Sequence, residues 1–264
     1  MVHQEICIFN PNQVRSIHAA FDPDYRESSN LLASKAENKL LAPNGKPSNL
    51  NAMQHAQVRT EAFKKWFGDW ENDPENASKV VDENGEPKVV YRGYGTENPV
   101  INSQFTWVSE DKKIASGYAD SRTTPIIVSI FAKIETAFNI DYDNRRFSPR
   151  EFISEAIKSA PDLSNKSNVL AARAKFLDYF KYIYSNPEAL RGASEYWGKD
   201  KAKTATRELV TALGYDGIQL SERAQASTLF LAAMAWATFE PNQIKSATVN
   251  NGDFSPTNNS YDES

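Results

Sequence analysis

The 264-residue chain contains one cysteine, Cys7, so an intrachain disulfide is excluded. It also contains only three histidines, His3, His18 and His55, and these lack the short spacing of metal ligands. A single cysteine cannot complete a thiolate cluster either. We therefore expect no metal site, and the low cysteine content fits a reducing compartment.

Long hydrophobic runs are absent, and the first residues do not follow a signal-peptide pattern. We expect no membrane partner and a location in the cytoplasm of the producing cell, or of a target cell that receives the protein. Positive charge is not in excess, because the net charge is −4. That balance disfavours non-specific nucleic-acid binding and leaves a local basic patch open.

The composition, 40% hydrophobic and 24% charged, is sufficient for one sizeable core. Strand patterns lie on both sides of a helical middle, which predicts an α+β fold. We expect a domain over residues 51–250 with a helical insert at about 148–213. Residues 1–50 are predicted to be an extension made of a short strand and a polar linker. Residues 251–264 are polar and are predicted to be disordered.

Hydrophobic periodicity and turn residues predict the individual elements. The predicted helices cover residues 52–70, 110–119 with Ser109 as the N-cap, a segment opened by Ser148-Pro149, 168–184, and 199–213 ended by Gly214. The predicted strands cover residues 5–9, 88–92, 105–109, 125–140 and 216–220. Residues 227–239 have helical propensity, which taken alone would make them a helix.

A short internal repeat bears on the interpretation of that last segment. Residues 9–16 and 239–246 match at five of eight positions, with two conservative differences. The match is either a common Pro-Asn turn or the closing strand of the same kind of domain. In the second interpretation the chain begins with the tail of a preceding copy. Extending the alignment backward places Glu5, in a plausible strand, opposite Ala235.

Taken one at a time, the candidate functional residues are weak signals. Arg92-Gly93 at a strand end could bind an anion, because guanidinium binds phosphate and glycine permits close approach. Most such arginines are simply solvated. Tyr118 could instead be an aromatic residue of the core, and Ser109 could instead be only a helix cap.

Together, ordered blocks of the chain resemble ADP-ribosyltransferases, most closely the domains of polyvalent proteins of phages and mobile elements. The blocks are Val89–Gly93, Phe105–Ser109, Ala115–Ala119, Tyr215–Ile218 and Phe239–Ser246, preceded by Trp66–Trp70 and Val80–Pro87. The resemblance covers roughly residues 40–250 and is less specific over 145–210. It implies a split β-sheet core with an N-terminal helix and a helical insert.

The resemblance also implies NAD as co-substrate. Many relatives have histidine where this chain has Arg92, whereas arginine resembles the toxin-type subgroup with an Arg, a Ser and a Glu-x-Glu pair. Arg92 would then hold the NAD phosphates and the nicotinamide ribose, and Ser109 would support it. Trp107 and Tyr118 fall where relatives stack aromatic rings on nicotinamide, and the flanking residues Tyr91 and Gly93 are further cofactor-binding candidates.

The Glu-x-Glu pair of the subgroup maps onto Ala233 and Ala235. We therefore predict that this chain is catalytically inactive, either through deliberate substitution or as a natural pseudoenzyme. The nearby acids Glu222 and Glu240 lie outside the motif, so we do not expect either to substitute. The two-glutamate pattern favours a protein arginine as acceptor over nucleic acid. Two other functions stay open: a binding module for NAD or a partner without turnover, and a structural segment of a polyprotein.

Overall fold

The computed structural model describes residues 13–14, 40–94, 105–117, 119, 126–140, 148–183, 196, 200–226, 229–250 and 252–259. Tyr118 and the predicted strand at residues 5–9 lie outside this set. Within it, no helix has the length and apolarity needed to cross a membrane. The same residues contain no group of His, Cys, Asp and Glu side chains that could hold a metal ion.

A mixed sheet of seven strands and six α-helices form the described part of the chain, which confirms the α+β prediction. The strands are β1 (Val90–Tyr94), β2 (Thr106–Ser109), β3 (Ile126–Ala132), β4 (Ala137–Ile140), β5 (Gly217–Ala226), β6 (Leu229–Thr238) and β7 (Ile244–Ser246). The helices are α1 (Ala52–Gln57), α2 (Glu61–Phe67), α3 (Lys112–Gly117), α4 (Pro149–Lys158), α5 (Lys166–Ile183) and α6 (Asp200–Ala212).

The strand order is β4-β5-β6-β2-β1-β3-β7. Only β4 and β5 run parallel; the other neighbouring pairs are antiparallel. Between β1 and β2 the register holds at the single pair Tyr91–Ser109, whereas β1 and β3 stay paired from Val90 to Tyr94. The sheet therefore divides between β1 and β2, as expected for a split-sheet core.

The segment with helical propensity, residues 227–239, contains strand β6, which lies between β5 and β2. Propensity alone is wrong here, because pairing on both edges of the strand outweighs a per-residue preference of less than about 1 kcal/mol. The predicted strand 216–220 extends to Ala226 for the same reason, since β5 pairs with β6 along ten positions.

Two further predictions of element boundaries are wrong. The single helix over 52–70 is two helices, because the Thr60 side chain accepts the N–H of Phe63 at 3.2 Å and starts α2 there. The single strand over 125–140 is β3 and β4 separated by a turn. Asp216 holds that turn by accepting the N–H groups of Glu135 (2.8 Å) and Thr136 (2.7 Å).

The helical insert packs on the face of β4, β5, β6 and β2. Its helices α4, α5 and α6 contribute buried residues to one cluster with the sheet, among them Phe152, Phe176, Leu209, Phe138 and Ile218. The insert is therefore part of the main core. Gly214 ends the last helix with a φ of 89°, as the sequence predicted.

A second core joins the N-terminal helices to the C-terminal segment. Phe254 is fully buried and packs edge-on against Phe63, with ring centroids 4.9 Å apart. Asn242 donates a hydrogen bond to the carbonyl of Pro256 at 2.8 Å. Within the segment predicted to be disordered, Phe254 and Pro256 therefore contact the folded domain.

Residues 40–50, which the sequence assigns to an N-terminal extension, contact residues of the following segment. They form a turn in which Leu41 bridges to Pro47. The turn contacts the similar turn at residues 82–86, where Ser48 donates to the buried carboxylate of Glu86. That carboxylate also pairs with Arg59 at 2.7 Å.

Candidate active site

One row of residues crosses four strands where the two halves of the sheet meet. Tyr91 of β1 pairs with Ser109 of β2, Ser109 pairs with Ala235 of β6, and Ala235 pairs with Leu220 of β5. Cross-strand partners share one face of a sheet, and neighbouring strands lie about 4.8 Å apart. The fold therefore brings together three of the predicted site positions, Tyr91, Ser109 and Ala235, within about 10 Å.

Ser109 is buried, with 3% of its surface exposed, and lies directly beside position 235. Its Oγ accepts the N–H of Asp111 at 3.2 Å. Helix α3 is instead capped by Asp111, whose carboxylate accepts from Lys113 (2.7 Å) and Ile114 (3.0 Å). The prediction that Ser109 is the helix cap is wrong, and its hydroxyl proton can be donated to a group at position 235.

Arg92 does not lie in the row, because it follows Tyr91 on β1 and so belongs to the opposite face. Its Nη1 donates to the carbonyl of Trp107 at 2.8 Å, which connects β1 to β2 where the strands part. Its guanidinium lies over the ring of Tyr94, 5.0 Å from the centroid. Burial raises the pKa of the Tyr94 hydroxyl, and the charge of Arg92 opposes that rise.

The Arg92 guanidinium retains hydrogen-bonding capacity. Its Nε is buried and has no hydrogen-bond partner among the described residues. A buried donor without a partner costs about 1–3 kcal/mol, so native structures usually pair it with protein, water or a ligand. Arg92 therefore suits a site that receives an anionic or carbonyl oxygen from outside the chain.

Trp107 pairs with Ala237, two residues along each strand from the row, and is half-buried. Its ring stacks on Phe105, with centroids 6.3 Å apart, and packs against the main core. Part of the surface of the Trp107 ring is therefore buried by contacts within the protein. Its predicted pairing with Tyr118 across nicotinamide falls outside the described residues and stays a prediction.

Helix α3 lies against β1 at Gly93. A Cβ at Gly93 would overlap the carbonyl oxygen of Ala115 and lie 2.9 Å from its carbonyl carbon. Glycine is therefore required at position 93 because the backbone of α3 approaches it closely. The sequence analysis attributed that requirement to a bound ligand. The same helix places the Lys112 ammonium 4.9 Å from the centroid of the Tyr91 ring.

This contact predicts a large stability effect at Gly93. We expect Gly93→Ala to lower the free energy of unfolding by about 1–3 kcal/mol, because a methyl group there must displace backbone atoms of α3. Urea unfolding followed by circular dichroism measures the change. Gly117→Ala is the matched control, since a Cβ at Gly117 meets nothing within 4 Å. Equal stability of the two variants would contradict the packing of α3 on Gly93.

Ala233 lies beyond the end of β2, where the N–H of Glu110 donates to the carbonyl of Met234 at 3.0 Å. It is half-buried, so this position is closer to solvent than Ala235. Its partner in β5 is Glu222. Sequence reasoning set Glu222 aside as outside the motif. The signal that could have found it is the two-residue connection at 227–228, which sets the register of the whole β5–β6 hairpin.

Glu240, the other acid near the motif, forms an ion pair with Arg207 on α6. It follows the end of β6 and is exposed at the surface. The ion pair with Arg207 therefore holds its carboxylate against α6.

Comparison with known families gives one match that contains the row. The model of one protein family, described as ADP-ribosyltransferase in polyvalent proteins, matches residues 82–254. The matched stretch contains all four residues of the row and the seven described strands. No curated protein and no solved structure matches the chain.

Proposed function

The chain belongs to the family of ADP-ribosyltransferases in polyvalent proteins, and from this membership we propose that it is an NAD-dependent mono-ADP-ribosyltransferase. It would transfer ADP-ribose to a macromolecular acceptor and release nicotinamide. The observation that supports the proposal best is the pairing of Ser109 with position 235 inside the matched stretch. We propose that an active form of this domain has a glutamate at position 235.

The reaction explains why a carboxylate is needed there. Cleavage of the nicotinamide–ribose bond passes through a state that resembles an oxocarbenium ion, as in glycoside hydrolysis. A carboxylate at position 235 stabilises the positive charge that grows on the ribose, and it does so more in the transition state than in the ground state. Ser109, directly opposite, can orient that carboxylate by donating its hydroxyl proton.

The remaining predicted residues suit the binding of NAD. We propose that Arg92 holds the phosphates and the nicotinamide ribose, because its buried Nε has no acceptor in the described part of the protein. Lys112, above Tyr91, adds a positive charge on the face of the row. Tyr91, Gly93, Trp107 and Tyr118 would line the nicotinamide end.

Position 233 would act on the acceptor. It lies two residues before position 235 on the same face and is the more exposed of the two. A glutamate there would orient or deprotonate the incoming nucleophile, and we propose protein arginine as that nucleophile. Because this chain has alanine at both positions, we propose that it is a strongly disabled form of the enzyme.

One observation favours a second candidate, a binding module without turnover. Ala235 is 3% exposed and clusters with Leu220, Ala237 and the helical insert in the main core. A methyl group suits such a position better than a carboxylate does. In this alternative the protein binds NAD or a partner and does not cleave the nicotinamide bond.

The test is nicotinamide release from NAD by a variant with glutamate at both positions, accompanied by intact-mass analysis of arginine-containing proteins added as acceptors. Release together with a mass increase of one ADP-ribose on the acceptor supports the transferase. NAD binding without release supports the module. If the variant neither binds NAD nor releases nicotinamide, both proposals are wrong.

A further inference from the structure

Tyr94 is the last residue of β1 and lies on the same face of the strand as Arg92, two residues before it. Its backbone pairs with Ile126, so β3 holds Tyr94 in place where β1 has already parted from β2. The Arg92 guanidinium lies over the Tyr94 ring, with its central carbon Cζ 5.0 Å from the ring centroid. That distance is within the range of a cation–π interaction.

Two contacts therefore act on the Arg92 guanidinium. The hydrogen bond from Nη1 to the Trp107 carbonyl fixes one corner of the group but permits rotation about that bond. The Tyr94 ring restricts this rotation, because the guanidinium must stay over it to keep the contact. The buried Nε–H, which has no acceptor among the described residues, is thereby kept in one orientation. A donor that is oriented before its ligand arrives loses less entropy on binding.

An aromatic residue at this point could instead serve only the packing of the core. The surroundings of Tyr94 favour the contact with Arg92. Tyr94 is half-buried, and among the described residues it belongs to none of the hydrophobic clusters that form the core. Val90, on the same face of β1, is fully buried in one of those clusters. The Tyr94 ring is therefore placed against a charged group at the end of the strand.

We propose that Tyr94 is a positioning residue, which holds the Arg92 guanidinium in the orientation that binds an oxygen of the NAD diphosphate. The inference rests on the proposed function, since that function supplies the ligand. Tyr94 acts through Arg92 and does not contact the reacting atoms. The ring carries this role and the hydroxyl does not, because a cation interacts with the face of the ring.

The first measurement needs no ligand. Exchange of the Arg92 Nε–H with water, followed by nuclear magnetic resonance, reports how often the guanidinium leaves its place. The signal is assigned as the one that is lost in Arg92→Ala. Tyr94→Leu, which is apolar but lacks the ring, should accelerate the exchange by about 3–30-fold, the range that corresponds to one cation–π contact. Tyr94→Phe should stay within about twofold of the unaltered chain. Equal exchange in Tyr94→Leu and in the unaltered chain overturns the proposal.

The second measurement is the affinity for NAD, obtained from the shifts of backbone amide signals as NAD is added. We expect Tyr94→Leu to weaken binding by about 3–30-fold and Tyr94→Phe to retain it within about twofold. In the Arg92→Ala background, Tyr94→Leu should change the affinity by less than about twofold, because a residue that acts through another has no separate effect once that other is removed. An equal loss in both backgrounds would show that Tyr94 acts without Arg92, and the positioning role would be wrong.

Tyr179→Leu is the matched control. Tyr179 is also half-buried, and its ring packs against Phe180 on α5, with ring centroids 5.1 Å apart. Its replacement should alter neither the exchange of the Arg92 Nε–H nor the affinity for NAD. A change as large as that in Tyr94→Leu would indicate general loosening of the fold and would overturn the proposal. If thermal unfolding shows that Tyr94→Leu does not fold, Tyr94→Met replaces it, since methionine also lacks the ring.

The two proposals fail in different ways. If the unaltered chain binds NAD and Tyr94→Leu changes neither the exchange nor the affinity, the role of Tyr94 is wrong and the proposed function stands. If the unaltered chain does not bind NAD, the proposed function is wrong, and the role of Tyr94 toward NAD falls with it even where the exchange of the Arg92 Nε–H increases.

Discussion

Nicotinamide release increases by about 10²–10³-fold when Ala233 and Ala235 are both replaced by glutamate; this is the largest effect that we expect. The estimate follows from the usual loss of rate when one preorganised electrostatic contact is removed, about 3–4 kcal/mol. The contact at position 235 dominates, because Ser109 lies opposite it and can hold the carboxylate in place. Measuring nicotinamide by chromatography at saturating NAD gives the rate directly.

The matched control is the double replacement by glutamine, which has the same shape without the charge. It should leave the rate within a few-fold of the unaltered chain. A similar increase in both double variants would show that packing, and not negative charge, limits the reaction. Because Ala235 is 3% exposed, we also expect the glutamate variant to be less stable, since a buried carboxylate loses its hydration. Added NAD should recover part of that loss.

The second large effect is expected when Arg92→Ala is introduced together with the two glutamates. We expect kcat/KM for NAD to fall by about 10²-fold or more, because a charge-assisted contact with NAD and the bond to the Trp107 carbonyl are lost together. Arg92→Lys should recover little of the rate, since an ammonium group lacks the planar set of N–H donors.

Arg207→Ala is the control for Arg92, because it removes an arginine that pairs with Glu240 away from the row. Its kcat/KM should equal that of the glutamate variant. Thermal unfolding of all variants separates a loss of fold from a loss of function. A folded Arg92→Ala variant with unchanged kcat/KM would contradict the assignment of Arg92 to the NAD site.

The order of the short motifs predicted the central part of the fold and of the site. Ser109 ends β2 and is next to position 235, inside β6, because the two strands pair from Thr106–Thr238 to Ser109–Ala235. The motif Phe-x-Pro-Asn-Gln is informative for a similar reason. Gln243 accepts from the N–H groups of Phe239 and Glu240 at 2.8 Å and donates to the carbonyls of Lys133 and Asp216. One amide therefore fixes the end of β6 against two other segments.

Other features of the fold depend on contacts between residues that are distant in sequence. Hydrophobic periodicity gives no information about such contacts. Asp216 interrupts a continuous apolar stretch by binding the turn at 135–136. Phe254 orders a polar tail because its ring is buried against Phe63. The position of Arg92 on the opposite face from Ser109 follows from register across the split in the sheet, which the motif order does not show.

Glu222 illustrates the same limit within the site. It lies eleven residues before Ala233 and outside the Glu-x-Glu motif, which is why the motif does not indicate it. Register alone brings it opposite Ala233. Counting paired positions from the ends of β5 and β6 would have located it, but that count requires both segments to be recognised as strands, and propensity favours a helix for the second.

The central claim is that NAD binds where the sheet divides between β1 and β2, next to Tyr91, Ser109 and Ala235. The most direct test follows the backbone amide signals of the unaltered chain by nuclear magnetic resonance while NAD is added. We predict saturable shifts at these three residues and at Arg92, with no comparable change at Asn168 or Thr211 in the groove between α5 and α6. Saturable shifts confined to that groove, or no shifts at the row at millimolar NAD, would contradict the account.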